Sequence, residues 1–326
     1  TQPIEYDWFS LRDLIASGGS ALTCVRHVVG VDVTPEAVAE AIKLQNLDAL
    51  IVIGGFEAYT SVWRLQQSST SIDGLKIPMV TIGATISSNL PGSECSIGCD
   101  RGVSNLVEAV DNVKQSAVGT RRVFVVEVMG RRCGYLSMIG AMCSGAERVL
   151  LPEAPPTLET VARDVQAVRA RFEDARDNDK DRCAIWIKNE CAGGNVITST
   201  FLCNYFASEA HDLYDVRKSV LGHLQQGGVP TVIDRLVALR LSLATVDRIF
   251  DVLKTGDGHC FDHVGLIDGR IVCNSLKDFD KTVNMRERRP LEQWWRKHGL
   301  EQDFNVLAQP FAHYFSEAND NRTNNK

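Results

Sequence analysis

Residues 78–100 read PMVTIGATISSNLPGSECSIGCD, and residues 121–134 read RRVFVVEVMGRRCG. Each contains a short apolar run, Met79 to Ile82 in the first and Val123 to Val128 in the second, and each run opens into a polar, glycine-bearing turn. Between them, apolar residues recur from Val103 through Leu106, Val107, Val110 and Val113, the spacing of a helix with one core-facing stripe. Two buried strands joined by a helix predict a parallel sheet. In such sheets ligands bind outside the carboxyl ends of the strands, so the two turns are where chemistry is expected.

Working outward, the same alternation continues in both directions. Val33 to Leu44 has helical periodicity, Leu47 to Ile53 is a nearly continuous apolar strand closed by Gly54-Gly55, and Glu57 to Gln66 predicts the next helix. Downstream, a helix is expected over Tyr135–Ala146, a strand over Arg148–Leu151, and a long helix from an N-capping Thr157 to about Asp177, followed by the solvated run DARDNDKD. A strand over Cys183–Ile187, a helix over Thr198–His211, a strand over Ser219–Leu221 and a second long helix over Thr231–Val252 complete the pattern. Trp8–Ser17 predicts a short helix, and the polar tail after Ser316 predicts disorder.

Composition narrows the function. The chain has 326 residues, 44% hydrophobic and 23% charged, with a formal net charge of -6, which argues against nucleic acid or an acidic membrane as partner. No apolar run is long enough to cross a bilayer and no basic-then-apolar leader pattern is present, so a cytosolic protein is expected. The ten cysteines are scattered without a CxxC pair, which predicts reduced structural thiols rather than zinc or redox centres.

Each candidate residue carries two readings. Gly54-Gly55 could cradle a phosphate or simply turn the chain; Phe56 and Glu57, bulky and negative, are poor company for a nucleotide phosphate or its magnesium. Thr85, Ser87, Ser88 and Asn89 offer hydroxyls and an amide but no carboxylate, so this turn can bind a sugar phosphate but lacks a base to activate one. Arg122, Arg131, Arg132 and Arg217 flank strands; a guanidinium fork grips phosphate in a bidentate way, and a solvated surface is the alternative. His223 and Gln226 lie in the polar turn of SVLGHLQQGG, and Glu190 of KNE ends another strand, either to accept from sugar hydroxyls or to face water.

Taken together, IVIGGFEAY (51–59), ATISSNLPGS (84–93), VFVVEVMGRRCGY (123–135), KNE (188–190), VLGHLQQGGVPTVIDR (220–235) and RRPLEQWW (288–295) resemble ATP-dependent 6-phosphofructokinase, in particular the C-terminal half of the duplicated eukaryotic enzyme. The resemblance implies a larger α/β subdomain (1–115 and 226–326, lacking its first strand), a smaller one (116–225), and a sugar-phosphate cleft between them; the chain is then one piece of a longer enzyme. Catalytic halves of the family carry an aspartate base and a second carboxylate where this chain has Ser87 and Asn89, and an aspartate for ATP and magnesium where it has Phe56. That implies a regulatory half that binds no cofactor itself, while the full enzyme uses ATP and Mg. Its ligand would be fructose 2,6-bisphosphate or fructose 6-phosphate, with Arg122, Arg217 and Arg288 on the phosphates, His223 and the Ser87–Asn89 turn on phosphate and sugar oxygens, and Met129, Gly130 and Glu190 along the sugar. The resemblance equally allows Arg122 and Arg217 to face a neighbouring subunit's site. Implied partners are a catalytic half and a homo- or hetero-oligomer. The weaker alternatives are a catalytically active sugar-phosphate kinase half, for which no carboxylate stands at 87 or 89, and a dinucleotide-binding oxidoreductase, for which Gly54-Gly55 is no proper fingerprint.

Overall fold

A computed structural model describes residues 6–117, 119–175, 183–256 and 259–307. Eight strands carry the fold: β1 (Leu50–Gly54), β2 (Met79–Gly83), β3 (Arg122–Val128), β4 (Arg148–Leu150), β5 (Cys183–Asn189), β6 (Asp215–Val220), β7 (Phe261–Ile267) and β8 (Arg270–Ser275). The main helices are α1 (Trp8–Arg12), α2 (Pro35–Leu44), α3 (Phe56–Ser68), α4 (Cys99–Ser116), α5 (Tyr135–Ser144), α6 (Leu158–Asp174), α7 (Ser199–Glu209) and α8 (Val232–Thr255). The α/β class with parallel sheets is as the apolar runs predict.

The chain divides into two compact units. One comprises the described residues through Arg101 together with Gln226–Trp294; the other comprises Gly102–Gln225 and the described residues from Trp295. The expected division at 115/116 and the placement of the C-terminal residues with the larger subdomain therefore differ from the structure. Most of α4 belongs to the second unit because Leu106 packs directly over Gly140 of α5, and helix Leu300–Leu307 also packs on α5.

In the first unit the strand order is β1-β2-β7-β8, with β1, β2 and β7 parallel and β8 antiparallel to β7. Residues alternate across this sheet. Met79 meets Tyr59, Leu75 and Phe279 on the α3 side, while Val80, Ile82 and Val264 meet Val237, Leu241 and Ile249 of α8 on the other. Thr231 caps α8 by accepting from the Asp234 amide at 3.1 Å, and the buried Asp234 carboxylate accepts the amides of Gly98 and Arg101 at 2.8 Å each, tying α8 to the start of α4.

In the second unit β4-β5-β3-β6 are all parallel. Its core packs Val123, Val125 and Trp186 against Val165, Phe172 and Phe206; the Trp186 and Phe206 rings meet edge to face at 4.7 Å. Thr157 caps α6 in a capping box with Thr160. Two sequence expectations change here and in the first unit. β6 begins at Asp215, earlier than Ser219, because an edge strand facing water tolerates the charged run DVRKSV; and β7–β8 form a hairpin that the apolar pattern did not reveal. The DARDNDKD exit beyond Ala175 and the tail after Leu307 lie outside the described residues.

Candidate functional site

In the first unit, the turns after β1 and β2 lie side by side: a Cβ on Gly55 would sit 3.5 Å from that of Thr85. The β2 turn is held from within. Ser96 donates its hydroxyl to the Thr85 carbonyl at 2.6 Å, the Ser87 amide donates to the Thr85 hydroxyl at 3.3 Å, and the Ser88 hydroxyl donates to the Glu94 carbonyl at 3.1 Å. Asn89 is 7% exposed and its side-chain amide donates to the Arg288 carbonyl at 2.7 Å. The structure thus brings Thr85, Ser87, Ser88, Asn89 and Arg288 together, with Asn89 acting on backbone and its Oδ1 buried without a hydrogen-bond partner.

The β1 turn is closed. Phe56 is 4% exposed and its ring meets that of Phe279 at 5.5 Å, tilted by 51°, while the Arg288 guanidinium lies 5.6 Å from the Phe56 ring centroid and pairs with the Glu57 carboxylate. Phe56 begins α3, the place where backbone amides would otherwise receive a phosphate. At this turn the Phe56 ring is buried and the Glu57 carboxylate is held by Arg288, a poor setting for a nucleotide phosphate or its magnesium.

In the second unit, the turn after β3 is clamped by side chains from the ends of other elements. The buried Gln225 accepts the Met129 amide at 2.8 Å, Glu190 accepts the Arg131 amide at 2.7 Å, Glu153 accepts the Gly134 amide at 2.8 Å, and Asn189 donates to the Cys133 carbonyl at 3.1 Å. Gly130 takes φ +126, and a Cβ there would meet the Cys133 carbonyl oxygen at 2.6 Å, so the position needs glycine. Beneath the turn, Lys188 is 1% exposed and donates to the carbonyls of Asn189 at 2.9 Å and Glu190 at 3.3 Å; burial pushes its pKa down, against the pull of Glu127. Arg131 and His223 are exposed at this end of the second unit; Gln226, also exposed, belongs to the first unit.

Three of the residues at or against these turns have positive φ, as do others elsewhere in the chain. Ser88, Arg131 and Arg288 take φ of 44, 51 and 54, a region that side-chain-bearing residues rarely occupy unless their surroundings enforce it.

Arg122 and Arg217 are not at these turns. Arg122 opens β3 and donates to the Ser116 carbonyl at 2.8 Å; Arg217, on β6 beside Phe124, is exposed and pairs with Asp215 at 3.2 Å. Both lie toward the amino-terminal edge of the sheet, and the seven residues of β3 separate Arg122 from Met129 by roughly 20 Å. Near them, a pocket of about 850 Å³ is lined by Arg121, Ser208, His211, Tyr214 and Arg217. Sequence reading grouped these arginines with Met129 and Glu190; the strand direction separates them. It also passed over Asn189 and Glu153, whose signal is only their position at or just beyond strand ends, and over the clamping role of the buried Gln225.

What the fold and turns define is an α/β protein of parallel sheets with its polar turns at the strands' carboxyl ends. A family model, Phosphofructokinase, matches residues 2–249, and the chain belongs to the phosphofructokinase family. It is 35% identical over 291 residues to the ATP-dependent 6-phosphofructokinase of Dictyostelium discoideum, a match covering 88% of this chain and 34% of that one. It is 33% identical over 322 residues to the liver-type enzyme of Rattus norvegicus, covering 95% and 39%. Among solved structures, phosphofructokinase from Saccharomyces cerevisiae superposes with a TM-score of 0.86 at 28% identity over 94% of this chain and 40% of that one. The T-state enzyme of Pichia pastoris gives 0.83 at 27% over 93% and 35%. The chain therefore spans well under half the length of the relatives it matches.

Proposed function

We propose that this chain is the regulatory half of an ATP-dependent 6-phosphofructokinase, binding fructose 2,6-bisphosphate and transferring no phosphate itself. The observation that carries the reading is the closed β1 turn, where Phe56 is buried and Arg288 and Glu57 are paired. Ser87 and Asn89 add to it, since a phosphoryl acceptor needs a base at its attacking oxygen and neither residue supplies one. Within the first unit, Thr85, Ser87, Ser88 and Arg288 are assigned sugar-phosphate contacts; within the second, taken by itself, Met129, Gly130, Arg131, Glu190 and His223 are assigned them. Arg122 and Arg217, at the other edge of the sheet, are assigned to a neighbouring subunit's sugar phosphate.

The glycolytic reaction, phosphoryl transfer from ATP with magnesium to fructose 6-phosphate, belongs in this proposal to a catalytic half in a cytosolic homo- or hetero-oligomer. The regulatory effect then arises from different affinities of the ligand for the active and inactive assemblies. The test is a phosphoryl-transfer assay on the chain and on Ser87→Asp. Neither is expected to make fructose 1,6-bisphosphate, because the variant regains a base but keeps Phe56 in the nucleotide turn. Transfer above background by Ser87→Asp would overturn the proposal.

A further inference from the structure

Cys95 and Cys99 stand four residues apart in SECSIGC (93–99), a spacing that as sequence predicts reduced structural thiols. In the first unit the two side chains meet. Their Sγ atoms lie 3.1 Å apart, about 1 Å from the length of a disulfide bond, and both residues are reduced. Cys95 is partly exposed and Cys99 is fully buried.

The backbone between them enforces the contact. The Ile97 amide donates to the Gly83 carbonyl at 2.9 Å, Gly98 takes φ +92, and the Cys99 amide donates to the Ser96 carbonyl at 3.1 Å, so the chain turns sharply as it enters α4. Tethers from outside hold this turn in place. The Ser93 hydroxyl donates to the Cys95 carbonyl at 2.7 Å, the Ser96 hydroxyl to the Thr85 carbonyl at 2.6 Å, and the Gly98 amide to the Asp234 carboxylate at 2.8 Å. Two thiols fixed in this way meet at a high effective concentration, which favours the bond between them.

Another thiol pair in the same unit supplies a contrast. Cys260 and Cys273 both donate to one oxygen of Asp262, at 3.1 and 3.6 Å, and Arg248 holds that carboxylate at 2.8 Å. Those sulfurs meet a shared carboxylate, whereas Cys95 and Cys99 meet each other.

We propose that Cys95 and Cys99 form a reversible dithiol–disulfide site that closes when a peroxide oxidises it. The more accessible Cys95 reacts first: its sulfur bonds to one peroxide oxygen, the O–O bond breaks, and the departing hydroxide takes the thiol proton and leaves as water, giving a sulfenic acid. The Cys99 sulfur then attacks the Cys95 sulfur, the S–O bond breaks, and that hydroxide takes the Cys99 proton and leaves as a second water. Two thiols are oxidised to one disulfide, and one peroxide is reduced to two waters.

The hydrogen bond to Cys99, burial, and the carboxylates of Asp234 and Asp100 keep the Cys95 proton on. They slow the first attack, because the thiolate is the nucleophile. A disulfide carries no charge, so they do not oppose the product. The bond staples the segment that carries Ser96, and with it the hydroxyl that holds Thr85 in the β2 turn.

The test is to treat residues 1–326 with hydrogen peroxide, alkylate the remaining thiols and digest with trypsin. Residues 77–101, between Lys76 and the cleavage after Arg101, hold both cysteines in one peptide. That peptide is expected unalkylated and lighter by two hydrogen atoms, with dithiothreitol restoring two alkylatable thiols. Hydrogen exchange at the Ile97 and Gly98 amides is expected to slow in the oxidised chain. In Cys99→Ser the light peptide should be lost, and Cys95 should instead be trapped by dimedone as a sulfenic acid. Full alkylation of the wild-type peptide at a peroxide dose that oxidises the exposed Cys191 would overturn the proposal. So would bonds from Cys95 or Cys99 to other cysteines in place of each other, oxidation to sulfinic acid without a disulfide, or a Cys260–Cys273 bond that forms as readily.

Discussion

The turn after β1 and the turn after β3 both leave the carboxyl end of a parallel strand, yet they are built from opposite materials. The first is filled by an aromatic ring capped with an ion pair, while the second is framed by four side chains that each satisfy one backbone group. Packing closes the first, and hydrogen bonds hold the second open with Arg131 at its surface. Three substitutions test this contrast.

The largest effect is expected from Phe56→Ala. Removing a buried phenyl ring from between Phe279 and Arg288 should lower stability by about 3–5 kcal/mol in urea denaturation. A loss below about 1 kcal/mol would mean that the turn is not closed by packing. Gln225→Leu, at the second turn, should cost about 1–3 kcal/mol by leaving the Met129 amide buried without an acceptor. It should also weaken sugar bisphosphate binding, because the turn loses its fixed shape; full affinity in a folded variant would contradict the clamp.

The smallest stability change is expected from Glu57→Gln. The Arg288–Glu57 pair is about one third exposed on each side, so its loss should change stability by less than about 1 kcal/mol. Affinity for the bisphosphate should rise instead, since Arg288 is released from its carboxylate. Weaker binding in this variant would show that Glu57 orients Arg288 for the ligand rather than competing for it.

Much of this contrast was legible in the residues. The polar ATISSN turn, the glycine-bearing MGRRCG turn and the ring at 56 all lie next to unmistakable apolar runs, and a strand covered on both faces cannot hide its ends. Three features were harder to read. The hairpin β7–β8 begins FDHV, where Asp262 and His263 interrupt the apolar run although both are buried in the fold. β6 is an edge strand whose charged residues look like a loop. The position of Arg122 was available, since it precedes rather than follows its strand, but side-chain chemistry alone suggested a phosphate ligand and said nothing of which sheet edge it occupied. Glu57 pairing with Arg288 joins residues more than two hundred positions apart, a contact that only the folded chain reveals.

The most direct test of the central claim is calorimetric titration of the chain with fructose 2,6-bisphosphate and, separately, with ATP and magnesium. Saturable binding of the sugar bisphosphate, weakened by Arg288→Ala, with no heat from ATP is the predicted result. Binding of ATP, or indifference to fructose 2,6-bisphosphate, would contradict the regulatory reading.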